Sequence, residues 1–184
     1  MGTDKASLSI GGRTLLERAA AELASVASEV VLACGSSERY AQLGFPLAID
    51  RIQDAGPLAG IEAGMARSRT AWTAVLACDM PRTEAGVFRA LFERAVALEL
   101  DACLLETEKG VEPLCAIYRQ SCLALFRTAL DAGVRKITSA FVPPLRIGSL
   151  AERDLPARLA YLGVAENVNT PEELDRVGRC GVRA

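Results

Sequence analysis

Apolar positions along the chain follow two alternating rhythms. From Thr14, the residues Leu15, Leu16, Ala19, Leu23 and Val26 recur at three- and four-residue spacing, the mark of an amphipathic helix that Thr14 is placed to cap. Residues 30–34 are an unbroken apolar run of strand length stopped by Gly35; a short helix-like stretch covers 37–43, and a weaker strand over 47–49 ends at Asp50. Gly56-Pro57 then opens a helix to about residue 67, with Pro57 suited to its first turn. A second buried strand at 72–77 runs into Cys78-Asp79-Met80-Pro81, and a long helix over 83–99 follows. Beyond Asp101 the pattern predicts strands at 102–105, 113–118 and 145–147, a helix at 121–130 and a last helix at 171–179. Continuous apolar strands alternating with amphipathic helices predict an α/β fold, a mostly parallel sheet covered on both faces.

Composition narrows the chemistry. A chain of 184 residues suits one domain over 1–184. With 51% hydrophobic and 24% charged residues and a net charge of −2, it is neither a disordered tail nor a nucleic-acid-binding surface. No segment reaches the roughly 20 apolar residues of a membrane span, and residues 1–12 lack signal-peptide grammar, so a cytoplasmic protein is expected. Six cysteines without a CxxC pair, mostly inside apolar runs, read as buried free thiols. There is no histidine. Histidine-based triads and zinc sites are thereby excluded, and any chemistry must run on carboxylates, cations, amides, hydroxyls and a bound ion.

In open parallel sheets ligands bind beyond the carboxyl ends of the strands, which draws attention to Asp50 and Asp79. Asp79 stands out because Met80-Pro81 keeps the following backbone extended and off the helix. A carboxylate placed so, in a chain without histidine, suits Mg²⁺ shared with substrate phosphates; position alone fits a turn residue equally. Only three of the 21 basic residues are Lys, and Lys5 follows a Gly and an Asp, where a compact point charge would serve a phosphate as well as solvent. The loop Gly56-Pro57-Leu58-Ala59-Gly60 offers backbone amides at a helix start, which could receive an anion or a base edge as well as serve as a tight entry into the helix. Near the end, Thr170, Pro171 and Glu173 are accounted for as a helix cap, which leaves Asn167 and Asn169, alternate positions of an extended segment that point the same way.

Taken in order, MGTDKASL with Gly11-Gly12, D-x5-GPLAGIEAGM from Asp50, CDMP at 78–81, EPLCAIYR at 112–119, GVRKI at 133–137 and ENVNTPEEL at 166–174 resemble the molybdenum cofactor guanylyltransferases, the MobA-like branch of the nucleotidyltransferases. The resemblance implies a Rossmann-like three-layer fold that moves GMP from GTP onto the terminal phosphate of the molybdenum cofactor's pterin, releases pyrophosphate, uses Mg²⁺ and hands its product to cofactor insertion and delivery proteins. It makes Lys5 a phosphate-loop and catalytic lysine and Asp79 a catalytic and Mg²⁺-binding aspartate. Asp50, Gly56 and Pro57 fall on the nucleotide, Asn169 on the metal, and Asn167, Asn169, Arg135 and Lys136 on the molybdopterin side.

Two departures accompany the resemblance. Relatives place an apolar strand and a glycine turn ahead of M-G-x-D-K, roughly 15 residues that would form the first, central strand. Without it, neighbouring ladders would stand open. Whether those residues were lost or lie upstream of an internal Met is a question for the in-frame DNA. Ala33-Cys34-Gly35 also stand where many relatives place an amide against the nucleotide. Cytidylyl transfer to the same cofactor, nucleotidyl transfer to a sugar phosphate, and a degenerate cofactor-binding protein are the alternatives that these departures leave.

Overall fold

The computed structural model describes residues 5–160, 163, 164, 166–168 and 173. A 3-10 turn, Lys5–Ser7, leads into a small hairpin of β1 (Ser9–Ile10) and β2 (Arg13–Thr14). Gly11 and Gly12, with φ of 58° and 80°, supply the left-handed backbone its tight turn requires. Helix α1 (Leu15–Ala24) starts at Thr14, whose hydroxyl accepts the Glu17 N–H at 3.1 Å while the Glu17 carboxylate accepts the Thr14 N–H at 2.7 Å. That reciprocal capping box holds Glu17 below the usual carboxylate range, and it sets the direction in which α1 leaves the hairpin.

Strand β3 (Leu32–Ala33) pairs in parallel with β4 (Leu47–Ala48). Both are shorter than the apolar runs that contain them, because each has a partner on one side only among the described residues. The helix-like stretch at 37–43 shrinks to a 3-10 turn, Ala41–Leu43, bounded by left-handed Tyr40 and Gly44. Next come α2 (Pro57–Arg67), β5 (Trp72–Leu76), α3 (Ala85–Ala97), β6 (Ala102–Thr107), β7 (Gly110–Arg119), α4 (Cys122–Asp131), β8 (Ile147–Ala151) and α5 (Ala157–Ala160). Of the helix expected at 171–179, only Glu173 falls among the described residues.

The fold is α/β, and its larger sheet is mixed where a mostly parallel one was expected. In the order β5-β7-β6-β8, β7 runs antiparallel to both neighbours, and only β6 and β8 are parallel. Direction escaped the sequence because β6 and β7, buried on both faces, carry the continuous apolar runs of parallel strands although a two-residue turn joins them. Pro113, inside a central strand, is accommodated by an irregularity: opposite Leu104 and Leu105 the partner jumps from Ala116 to Glu112. The Pro113 carbonyl, released from the β6 ladder, accepts the buried Tyr118 hydroxyl at 2.8 Å.

Apolar side chains fill both faces of the sheet. On one, Leu58, Ile61 and Met65 of α2 meet Tyr118 and Phe126. On the other, Val87, Phe88 and Leu91 of α3 cover Cys103, Cys115 and Ile117. The buried cysteines behave as small apolar residues, with desolvation pushing the Cys103 thiol up to about 11 and the Cys115 and Cys122 thiols up to about 12. Cys34, Cys78, Cys103, Cys115 and Cys122 are all free thiols. Among the described residues no helix is long and apolar enough to cross a membrane.

Candidate functional site

Asp79 stands just past the end of β5, and the turn that carries it is fastened to a distant part of the chain. Its carbonyl accepts the Val168 N–H at 2.8 Å, the Thr83 hydroxyl donates to the Val164 carbonyl at 2.6 Å, and Arg82 pairs with Glu166 at 2.8 Å. Val164 and Met80 are buried. These ties place the exposed Asn167 next to the Asp79 backbone. Asn169 lies outside the described residues.

The Lys5 ammonium lies 4.0 Å from Asp79 Oδ2. On the other side, β7 runs on past its last pair with β5, Cys115 opposite Leu76, and carries Glu112 near enough to Asp79 for the two carboxylates to influence each other. Burial first, and the Asp79 charge second, raise the Glu112 carboxyl above its ordinary range. Glu112 received no role from the sequence, since a strand read as beginning at Pro113 leaves it in the preceding loop. The register of the antiparallel ladder was the missing signal.

Asp50 follows β4, and its N–H is held by the Gly35 carbonyl at 2.8 Å. One carboxylate oxygen is buried and accepts no hydrogen bond, and burial, with the Glu62 charge behind it, raises its pKa above the ordinary carboxylate value. Glu62, buried in α2, is itself answered by Arg127 at 2.6 Å and by Arg51 at 3.9 Å. Gly56 takes φ 73°, ψ −168°, a conformation open to little but glycine, and it lets Pro57 begin α2. A Cβ there would stand 3.9 Å from the Arg135 carbonyl, so the two glycine-led segments, 56–60 and 133–137, meet at this point. Arg135 and Lys136 are exposed beside it; the Arg135 guanidinium donates to the Leu130 and Val134 carbonyls.

A groove of about 970 Å³ joins these pieces, with Lys5, Asp50, Gly56, Pro57 and Asp79 all on its wall. No group of three His, Cys, Asp or Glu residues among the described residues could enclose a metal ion. The donors at hand, the carboxylates of Asp79 and Glu112, fit a hard divalent cation that keeps several waters and takes its remaining ligands from substrate phosphates. Carboxylates past the strand ends of an α/β sheet, a lysine beside one of them and a helix start on the same groove could together receive a phosphate-bearing ligand.

Comparison with known proteins makes that class specific. Residues 1–145 match the MobA-like NTP transferase domain, and the chain belongs to that family of nucleotidyltransferases. A probable molybdenum cofactor guanylyltransferase of Pelotomaculum thermopropionicum is 33% identical over 175 residues, 95% of this chain and 83% of the relative. The molybdenum cofactor guanylyltransferase of Desulfosudis oleivorans is 30% identical over 95% of this chain and 86% of its own. Among solved structures, molybdopterin-guanine dinucleotide biosynthesis protein A of Archaeoglobus fulgidus superposes with a TM-score of 0.76 at 22% identity, over 97% of this chain and 91% of that one. The 2-C-methyl-D-erythritol 4-phosphate cytidylyltransferase of Thermus thermophilus follows at 0.68 and 16% identity, over 96% and 93%. At these identities both structures speak for the Rossmann-like nucleotidyltransferase fold alone.

Proposed function

We propose that this chain transfers GMP from GTP to the terminal phosphate of the molybdenum cofactor. The observation that carries the reading is the meeting of Lys5 and Asp79 on one groove with Asp50 and Gly56, in a chain whose curated relatives bear that name. In the reaction a phosphate oxygen of the cofactor forms a bond to the α-phosphorus of GTP, and the bond from that phosphorus to the bridging oxygen breaks, releasing pyrophosphate. The attacking phosphate is already an anion, so no histidine base is needed and the protein's task is alignment and neutralisation.

Lys5 neutralises the triphosphate, and the helix start at Gly56 and Pro57 faces the nucleotide. Asp50, with its unanswered buried oxygen, offers an acceptor to the nucleoside. Asn167, Arg135 and Lys136 serve the pterin phosphate on this reading, and Asn169 is assigned to the same role from its place in the sequence. Asp79, with Glu112 beside it, would hold Mg²⁺, which supplies charge neutralisation at the transferring phosphate.

Incubation with GTP, Mg²⁺ and molybdenum cofactor is expected to yield the guanine dinucleotide and an equivalent of pyrophosphate, with CTP competing poorly. Equal or better use of CTP would make the protein a cytidylyltransferase. Cofactor binding without turnover or GTP affinity would make it a non-catalytic binding protein.

A further inference from the structure

Lys5 and Asp79 reach the groove from two separate parts of the chain, and their spacing depends on what joins those parts. Lys5 belongs to the first. Its carbonyl accepts the Leu8 N–H at 3.0 Å, and the Leu8 carbonyl accepts the Leu15 N–H at 2.8 Å, which ties the 3-10 turn to the first residue of α1. Asp79 belongs to the second. The Met80 carbonyl accepts the Thr83 N–H at 3.2 Å and the Glu84 carbonyl accepts the Val87 N–H at 2.9 Å, so the Asp79 turn runs by hydrogen bonds into the start of α3.

Glu22, near the end of α1, bridges the two. Its Oε2 accepts the N–H of Ala85, the first residue of α3, at 2.8 Å in a part-buried bond. The N-cap residue of α3, Glu84, makes no side-chain bond to its own helix and pairs with Arg158 at 3.1 Å, so the cap is supplied from α1. A carboxylate at that end also meets the positive pole of the helix. Leu23 and Val26, at and just past the end of α1, pack against the apolar cluster that includes Phe88 of α3. Apolar packing, being non-directional, brings the two helices together; the hydrogen bond from Ala85 to Glu22 sets their register.

We propose that Glu22 is a positioning residue: by capping α3 from α1 it sets the distance between the Lys5 ammonium and the Asp79 carboxylate, 4.0 Å in the structure. It acts through that pair and not on substrate. Transfer at a phosphate depends on alignment, where a displacement of about 1 Å costs up to about 10²-fold. The catalytic consequence rests on the guanylyltransferase reading; the geometric one does not, and it is measurable without substrate.

Only Lys109 and Lys136 accompany Lys5 in the chain, so isotope-labelled lysine gives a spectrum simple enough to follow one side chain. The Lys5 Cε resonance is identified by its loss in Lys5→Gln, and its movement on Asp79→Asn reports how near the two groups lie. That movement is expected to shrink by at least about half in Glu22→Ala and to survive in Glu22→Gln, whose amide oxygen still accepts the Ala85 N–H. Ala85→Pro removes the donor instead, at the first helical position, after a residue already extended at φ −101°, ψ 156°. It should reproduce the Glu22→Ala result with α3 intact. In turnover, Glu22→Ala is expected to lower kcat/KM for GTP about tenfold, chiefly through kcat, but by less than about twofold where Lys5 is already Gln. A Lys5 response to Asp79→Asn that is unchanged in Glu22→Ala and Ala85→Pro would overturn the proposal. So would an activity loss of equal size with and without Lys5, which would make Glu22 a cap of the fold alone. A Lys5 response that follows Glu22 in a chain releasing no pyrophosphate from GTP would uphold the positioning and overturn the guanylyltransferase reading.

Discussion

Lys5 meets Asp79 at 4.0 Å with 45% of its side chain exposed, the geometry of a solvated pair that adds little to folding. On the proposed function its contribution lies in substrate, where a compact ammonium would face a polyphosphate. Lys5→Gln is accordingly expected to lower kcat/KM for GTP by about 10²-fold or more, with the melting temperature nearly unchanged. Lys5→Arg should recover only part of the loss, since a planar fork does not replace a point charge. Steady-state pyrophosphate release together with a thermal melt checks both; a loss of activity that merely tracks a loss of stability would assign Lys5 to the fold. The scarcity of Lys in this chain drew attention to the residue before any geometry was known. Glu112 had no such mark, because what brings it beside Asp79 is the pairing of β7 with β5, a relation between residues more than thirty positions apart.

At the scale of elements, the start of α2 concentrates two constraints. Gly56 occupies a backbone region that a Cβ makes unfavourable, so Gly56→Ala should cost about 1–3 kcal/mol in urea unfolding even though the space around it is open. One turn further on, Glu62 is buried and bound to Arg127 of α4. Removing the cation leaves a buried carboxylate with Arg51 alone, and Arg127→Ala should cost about 2 kcal/mol, less than in a fully sequestered pair because Arg51 remains. Glu62→Gln should cost less than Arg127→Ala, having no charge left to strand; equilibrium unfolding of the two variants side by side decides this. Helices α1, α2, α3 and α4 were legible within a few residues, since each carries its own periodicity and punctuation: Thr14 before α1, Gly56-Pro57 before α2. Strands were legible as buried runs but not in direction or pairing. The shrinkage of residues 30–34 to β3 and the bulge that admits Pro113 depend on what lies alongside, which no local pattern records.

Over the whole molecule, the acids divide by location. Asp101, whose carboxylate accepts the Arg146 N–H and the Ser121 hydroxyl, is held below the usual range, and so is the capping Glu17. Both contribute stability that is present above the unfolded-chain value and lost as pH falls through the folded one. Asp50, on the groove wall, is raised by burial and by Glu62 from an ordinary value of 3.8. For a raised acid the sign reverses: the folded state holds the proton more tightly than the unfolded chain, so stability is lost as pH climbs through the carboxylate range. At neutral pH Asp50 therefore strains a fold that Asp101 supports, as expected of a group kept for ligand rather than for packing. Asp50→Asn carries no charge at any pH, so its melting temperature should match that of the unsubstituted protein near pH 3 and exceed it by a margin that widens as pH climbs through the carboxylate range and then levels off. Nucleotide affinity should fall in the same variant. A margin that stays constant from acid to neutral pH would mean that Asp50 bears no burial strain, and a margin in favour of the unsubstituted protein at pH 8 would mean that its carboxylate is answered by a partner in the folded state.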